Sequence, residues 1–262
     1  MRRNIKLTIE YEGTRFHGWQ RQVGQRTVQG ELEDALSVLL RHPATVYASG
    51  RTDRGVHSLG QVVSFRTNSP IALERIRRGT NALTGRDILV RDPSDIHETF
   101  HARHSARARH YGYLLLRAPS VFWSPRALAP RPFPDVDAMN AAAKHLVGEH
   151  DFSAFSCKGD GAQDRRTRVL YARWEPWERG LIFRIGAIRF LYKMVRCIVA
   201  SCLDVGLHKQ EPGSLLDLLR HPSGRGKKVA PGHGLTLFSV DYDGTPGCGT
   251  WGPDCLPPGP VL

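Results

Sequence analysis

The amino-acid sequence predicts a mixed α/β (α+β) fold in which one run of elements, β-α-β-β-α-β, is used twice. Three observations carry this. Short segments alternate apolar and polar residues with the period of a half-buried strand. Between them lie stripes of apolar residues at helical spacing. The two kinds of segment follow the same order in each half of the chain.

In the first half, Ile5, Leu7, Ile9 and Tyr11 alternate with polar residues and predict the opening strand. Gly13, Gly18 and Gly24 punctuate the loop after it. Val28, Leu32, Ala35, Leu36 and Leu39 form one helical face, with Thr27 as its start signal. Thr45–Ala48 and Gln61–Phe65 are the next two strands, Leu73–Leu83 a helix, and Ile88–Arg91 a strand.

The second half opens with a strand at Tyr111–Arg117. Val136, Met139, Ala143, Leu146 and Val147 make a helical stripe that stops at Gly148, a residue suited to the position after a helix end. Arg168–Trp174 and Leu181–Ile185 are strands joined by a turn containing Gly180. Phe190, Leu191, Met194, Val195, Ile198, Val199 and Cys202 share one broad helical face. A short helix is expected at Leu215–Leu219 and a closing strand at Leu235–Tyr242. Each half thus reads as a ferredoxin-like unit. Joined edge to edge, two such sheets leave a central cleft with a basic rim. The expected divisions are 1–97, 98–245 and a Gly/Pro/Cys-rich, disordered tail at 246–262. Ala118–Pro134, rich in proline and serine, is expected to be an extended connection.

The chain has 262 residues, enough for one large or two small cores. It carries 37 Lys and Arg against 25 Asp and Glu, a net charge of +12, and its pI is 9.9. That balance favours a polyanionic partner, because cationic contacts to phosphate release counterions. No apolar run reaches the ~18–20 residues of a membrane span, and the start lacks the pattern of a signal peptide, so no membrane is implied and a cytoplasmic location is the expectation. The five cysteines are irregularly spaced with no C-x-x-C pair, which argues against a structural zinc site or a disulfide framework.

The stretch with most chemical content is Gly50-Arg51-Thr52-Asp53-Arg54-Gly55-Val56-His57, between two strands. Asp53 lies between two arginines, and a carboxylate among cations stays ionised, as a nucleophile must. Two other readings stand beside this one: an ordinary glycine-containing surface turn, and a divalent-metal site shared by Asp53 and His57.

This loop resembles the signature of the pseudouridine synthases, most closely the tRNA pseudouridine synthase A (TruA) family. The similarity runs to about Tyr242. It includes Tyr11-Glu12-Gly13-Thr14, Phe16-His17-Gly18-Trp19-Gln20-Arg21-Gln22, Thr27-Val28-Gln29, Gly60-Gln61-Val62-Val63, Phe100-His101-Ala102-Arg103 through Arg109, Tyr111 and Tyr113, Phe190-Leu191-Tyr192-Lys193-Met194-Val195-Arg196, and Ala230-Pro231 with Gly234-Leu235. The resemblance implies that Asp53 is the catalytic aspartate, Arg51 the arginine that enters the space left by a flipped base, and Tyr111 the residue that stacks on the uracil. It also implies that Arg196 pairs with Asp53, that Leu235 packs near Asp53, and that Arg166 belongs to a short substrate-binding motif. Arg103, His104, Arg107, Arg109, Arg165 and Arg168 are further candidates for gripping the RNA backbone. Trp19 reads as core or interface, and Tyr113 as a structural strand tyrosine.

The implied activity is isomerisation of uridine to pseudouridine at positions 38–40 of the tRNA anticodon stem-loop, by a homodimer with no metal or organic cofactor. The sequence departs from the family pattern at Ile188-Arg189 and at Thr84-Gly85-Arg86-Asp87. The competing readings are a non-catalytic RNA-binding module and a synthase acting on a different RNA.

Overall fold

A computed structural model describes residues 2–157, 159, 164–222 and 228–242. The tail expected over 246–262, with Cys248 and Cys255, lies outside the described residues. The first half comprises β1 (Arg3–Tyr11), α1 (Val28–Leu40), β2 (Tyr47–Ala48), β3 (His57–Thr67), α2 (Leu73–Leu83) and β4 (Ile88–Ile96). The second comprises β5 (Ala106–Leu116), α3 (Val136–Ala143), β6 (Gly148–Asp151), β7 (Arg166–Trp177), β8 (Gly180–Ala187), α4 (Met194–Gly206), α5 (Ser214–Arg220) and β9 (Leu235–Tyr242).

The strands make one nine-stranded sheet in the order β4-β1-β3-β9-β5-β8-β7-β6, with β2 also paired to β3. Leaving β6 aside, each half has its fourth, first, third and second strands side by side, the ferredoxin-like order. The halves meet where β3 and β9 run parallel, and that seam is short: His57 faces Thr236 and Ser58 faces Leu237. Gly60 permits the approach, since a Cβ there would lie 2.4 Å from the Phe238 carbonyl oxygen. Elsewhere the pairing is antiparallel, so inward and outward residues alternate as the sequence suggests.

Three apolar clusters pack against the sheet, and two of them carry the helices. One packs Ile5, Leu7 and Ile9 against Leu32, Leu36 and Ile76 of α1 and α2. The other packs β5, β7 and β8 against α3, α4 and α5, and takes in Val56 and Val62 from the first half. Cys197 and Cys202 are buried there, and burial pushes the Cys202 thiol up to about 12. Trp19 and Tyr113 are likewise core residues.

Four details differ from the sequence expectations. The helix expected from Phe190 begins at Met194, because Lys193 takes a left-handed conformation (φ 61°) that a helix interior excludes. Phe190 and Leu191 form a turn ahead of it, closed by Met194 N–H donating to the Leu191 carbonyl. The stripe running to Val147 is α-helical only to Ala143 and finishes as a 3-10 turn over Lys144–Leu146. Strand β6, a polar Gly-Glu-His-Asp segment at the sheet edge, has no apolar alternation to announce it. The connection 118–134 is not simply extended: it turns, buries Trp123 against Trp177, and bridges Leu128 to Leu115. Among the described residues, no helix is long and apolar enough to cross a membrane.

Candidate active site

The loop between β2 and β3 is held from three sides. From within, Ser49 N–H donates to the Val62 carbonyl, and the Gln61 amide donates to the Gly50 carbonyl at 2.8 Å while its oxygen accepts from Ser49 Oγ at 2.5 Å. From β1 and the loop after it, Tyr11 and Thr52 share a buried hydroxyl–hydroxyl bond of 2.8 Å, and Trp19 N–H donates to the Thr52 carbonyl. Gly13 and Gly18 press against the same segment. A Cβ on Gly13 would stand 2.1 Å from the Val56 oxygen; Gly18 has φ +92° and its Cβ would stand 2.8 Å from the Thr52 oxygen. The second half supplies the third side. Gly232 lies against the Arg54 carbonyl, and His57 Nε2 is 3.0 Å from the His233 carbonyl.

Within this frame Asp53 opens a tight turn, with Val56 N–H donating back to its carbonyl and Gly55 at φ +77° in the third position. The turn reading is thus correct as backbone geometry, and the side chain has a separate task. Asp53 Oδ2 accepts from Arg196 Nη1 at 2.6 Å. Both side chains are only partly exposed, Asp53 at 21% and Arg196 at 15%, so the pair is charge-assisted and shielded from screening. Arg196 lies in the first turn of α4. Its Nε donates to the Ala230 carbonyl at 2.7 Å, and its own carbonyl accepts from Ala230 N–H. The guanidinium is therefore aimed by the segment that leads into β9.

Tyr111, on β5, is buried with its ring edge-on to Phe190 at 5.1 Å. Burial raises its hydroxyl to about 12; nearby Arg109 opposes this and the Asp53 carboxylate adds to it. At neutral pH it is a phenol, a ring and a proton donor rather than a base. Leu235 is buried at the start of β9 opposite Tyr113, in the cluster that includes Val56 and Tyr111. Tyr113 donates to the Pro231 carbonyl at 3.0 Å and backs the 231–234 turn.

Asp53 and Arg196 are thus in contact, Tyr111 is near enough to feel the Asp53 charge, and Leu235 shares the apolar cluster of Tyr111. Arg51 and Arg54 flank Asp53, both exposed and, among the described residues, without an ion pair. Arg166 is not among these residues. It sits at the start of β7, exposed, 3.5 Å from Glu149, and its carbonyl accepts from Arg189. Arg189 itself braces this segment by donating to the Asp164 carboxylate and carbonyl. Arg109 is not a free phosphate grip: its guanidinium donates to the carbonyls of Ser49, Arg103, Ala106 and Ile188. Burial lowers its pKa accordingly. The shared-ion reading fails on donors, since both ring nitrogens of His57 are engaged, Nδ1 accepting from Gly13 N–H at 2.9 Å.

Comparison with known proteins decides the family. A model of the tRNA pseudouridine synthase family matches residues 7–105 and 142–243, more than half the chain. The chain belongs to the tRNA pseudouridine synthase family. It is 42% identical over 243 residues to the tRNA pseudouridine synthase A of Chlorobaculum tepidum, covering 92% of this chain and 98% of the relative. It is 43% identical over 251 residues to that of Chlorobium luteolum (94% and 98%), and 41% identical over 247 residues to that of Bacillus subtilis strain 168 (91% and 99%). The chain is accordingly a pseudouridine synthase, an isomerase of RNA. The loop that carries Asp53 also rests on Gly18, Gln61 and His57, which the sequence singles out without these contacts, and on the Gly232-His233 turn, which it does not single out. Their signal is weak in sequence because their partners are far away along the chain, as with His57 and His233.

Proposed function

We propose that this synthase isomerises uridine to pseudouridine at positions 38–40 of the tRNA anticodon stem-loop, with Asp53 as nucleophile. The observation that carries the reading is the 2.6 Å pair between Asp53 and Arg196 in the site that includes Tyr111. An RNA binder without chemistry gains nothing from a carboxylate among cations, where it repels phosphate. A carboxylate kept anionic and aimed by an arginine suits attack on the uridine. The C1′–N1 bond breaks, the base turns, C5 bonds to C1′, and the C5 proton is lost as N1 gains one. No oxidant or activated group is consumed.

The target must first leave its stack, at a cost of a few kcal/mol. Exposed Arg51 supports a role in filling the vacated space with a planar cation. Tyr111 offers its ring to the flipped base, and Leu235 keeps water from it. Arg166 and the exposed Arg103, Arg107 and Arg168 supply positive charge for the RNA backbone along a cleft between two halves, residues 1–97 and 98–245. Action as a homodimer in the cytoplasm completes the proposal.

The test is incubation with unmodified tRNA carrying uridine at 38, 39 or 40, followed by chemical mapping of pseudouridine. Asp53→Asn should bind the tRNA and leave every site unmodified. Full turnover by that variant would remove Asp53 from the chemistry. Product only in another RNA would keep the chemistry and remove the substrate.

A further inference from the structure

Beside the catalytic loop, three rings stand in a row that the chemistry above does not use. Tyr47 of β2 lies 4.9 Å from the His101 ring, and His101 lies 4.4 Å from the His104 ring, each pair tilted by about 44° and 51°. Tyr47 is 49% exposed, and His104 is exposed as well. A tyrosine half open to water on an edge strand buries little of its apolar ring, so its place there is not explained by core packing.

The row is built rigidly. Residues 101–105 close as a turn, with Ser105 N–H donating to the His101 carbonyl and Arg103 N–H to His101 Nδ1. Ala102 is pinned on both sides, its N–H donating to Ser64 Oγ at 3.0 Å and its carbonyl accepting from the Tyr242 hydroxyl at 2.6 Å. The turn is also tied to the catalytic loop. One nitrogen of Arg109, Nη2, donates to both the Arg103 carbonyl (2.9 Å) and the Ser49 carbonyl (2.8 Å). Ser49 follows directly on β2 and stands four residues before Asp53. The surroundings are cationic, with Arg66 and Arg103 exposed beside His101; burial first, then His104 and these two arginines, lower the His101 pKa.

We propose that Tyr47, His101 and His104 form a stacking platform for an unpaired base next to the target uridine. Aromatic faces among arginines are the chemistry that takes single-stranded nucleic acid: rings hold bases and cations follow the phosphates. The tie through Arg109 sets the platform at a constant distance from Asp53, so a base held there fixes which neighbour reaches the nucleophile. The platform is thus a positioning device on the strand that carries the target. It rests on the reading of this site as one that modifies tRNA.

Separate Tyr47→Ala and His104→Ala variants, both at exposed positions, test it against an unmodified tRNA transcript. Each should weaken binding by roughly 5- to 100-fold. Single-turnover rate at saturating RNA should stay within about twofold of the parent, and for Tyr47→Ala the slope of log Kd against log salt should not change, because an uncharged ring is removed. Tyr47→Phe should bind like the parent. A 2-aminopurine in the unpaired position beside the target should lose fluorescence on binding, and should lose less with Tyr47→Ala. Unchanged affinity in both alanine variants would overturn the platform. So would a Tyr47→Phe variant as weak as Tyr47→Ala. If the parent modifies no uridine in tRNA but the ring variants still weaken RNA binding, the substrate reading falls and the platform stands.

Discussion

Arg196 puts a cation in the first turn of α4, the end at which a helix favours anions. That local cost is offset by Asp53 and by the carbonyl of Ala230, so the residue is held for its partner rather than for its helix. Arg196→Met should lower kcat by roughly 10- to 100-fold, the worth of one charge-assisted hydrogen bond of about 1.5–3 kcal/mol, with a smaller effect on KM. Arg196→Lys should recover only part of the rate, because an ammonium cannot reach Asp53 and Ala230 at once. Single-turnover kinetics checks both. His57 allows a prediction in pH. Burial lowers its pKa from an ordinary value of 6.5, and a second proton would break the Gly13 bond. Below pH 6.5 the unfolded chain therefore binds more protons than the folded one, and stability falls as pH falls, by at most about 1.4 kcal/mol per pH unit from this group. Urea midpoints between pH 7 and 5 should drop less steeply for His57→Asn than for the parent.

At the scale of elements, the loop that carries Asp53 is shaped by close contact with the loop after β1, and Gly13 is the tightest point. Gly13→Ala must push back the Val56 carbonyl and with it the turn that carries Asp53. We expect a loss of about 1–3 kcal/mol in stability and a fall in kcat well beyond that of a control. The control is Thr27→Ala, which removes the cap accepting from Gly30 N–H at the start of α1 and should cost about 1 kcal/mol without moving the loop. Thermal melts and kcat on the two variants separate a distorted loop from a weakened fold. The elements differ in how plainly the sequence announces them. α1, α2 and β9 carry clear periodicity or a cap and are legible to within a residue or so. The true start of β3 at His57 and the true start of α4 at Met194 are not. Both are set by contacts with distant segments, His57 by Thr236 and the 193–194 corner by the packing of Phe190 on Tyr111. Asp53 alone reads as a turn residue; only the family resemblance joined it to Tyr111 and Arg196, and no local pattern pointed to Gly232 or His233.

For the whole molecule, the repeated order of elements was legible, while the way the halves merge was not. Parallel pairing of His57 and Ser58 with Thr236 and Leu237 joins segments some 179 residues apart, and neither segment carries a mark of the other. The seam matters because Asp53 comes from one half and Arg196, Tyr111 and Leu235 from the other. The net charge of +12 acts at this same scale. Many arginines are already paired, Arg26 with Glu31 and Asp87, Arg3 with Asp95, Arg184 with Glu175, and these add little to RNA affinity. On the proposed function, the exposed Arg51, Arg54 and Arg103 are cations that a phosphate backbone would meet. If about six phosphates are neutralised, affinity for tRNA should fall by roughly 10³ between about 50 and 200 mM monovalent salt. The isomerisation step should respond far less, since the Asp53–Arg196 pair is shielded from solvent ions. Salt should therefore raise KM steeply and leave the single-turnover rate at saturating tRNA nearly constant. Removing Arg103 should flatten the KM slope by about one phosphate's worth. A rate that fell with salt in parallel with binding would mean that screening reaches the Asp53–Arg196 pair, and that the seam between the halves opens when RNA binds.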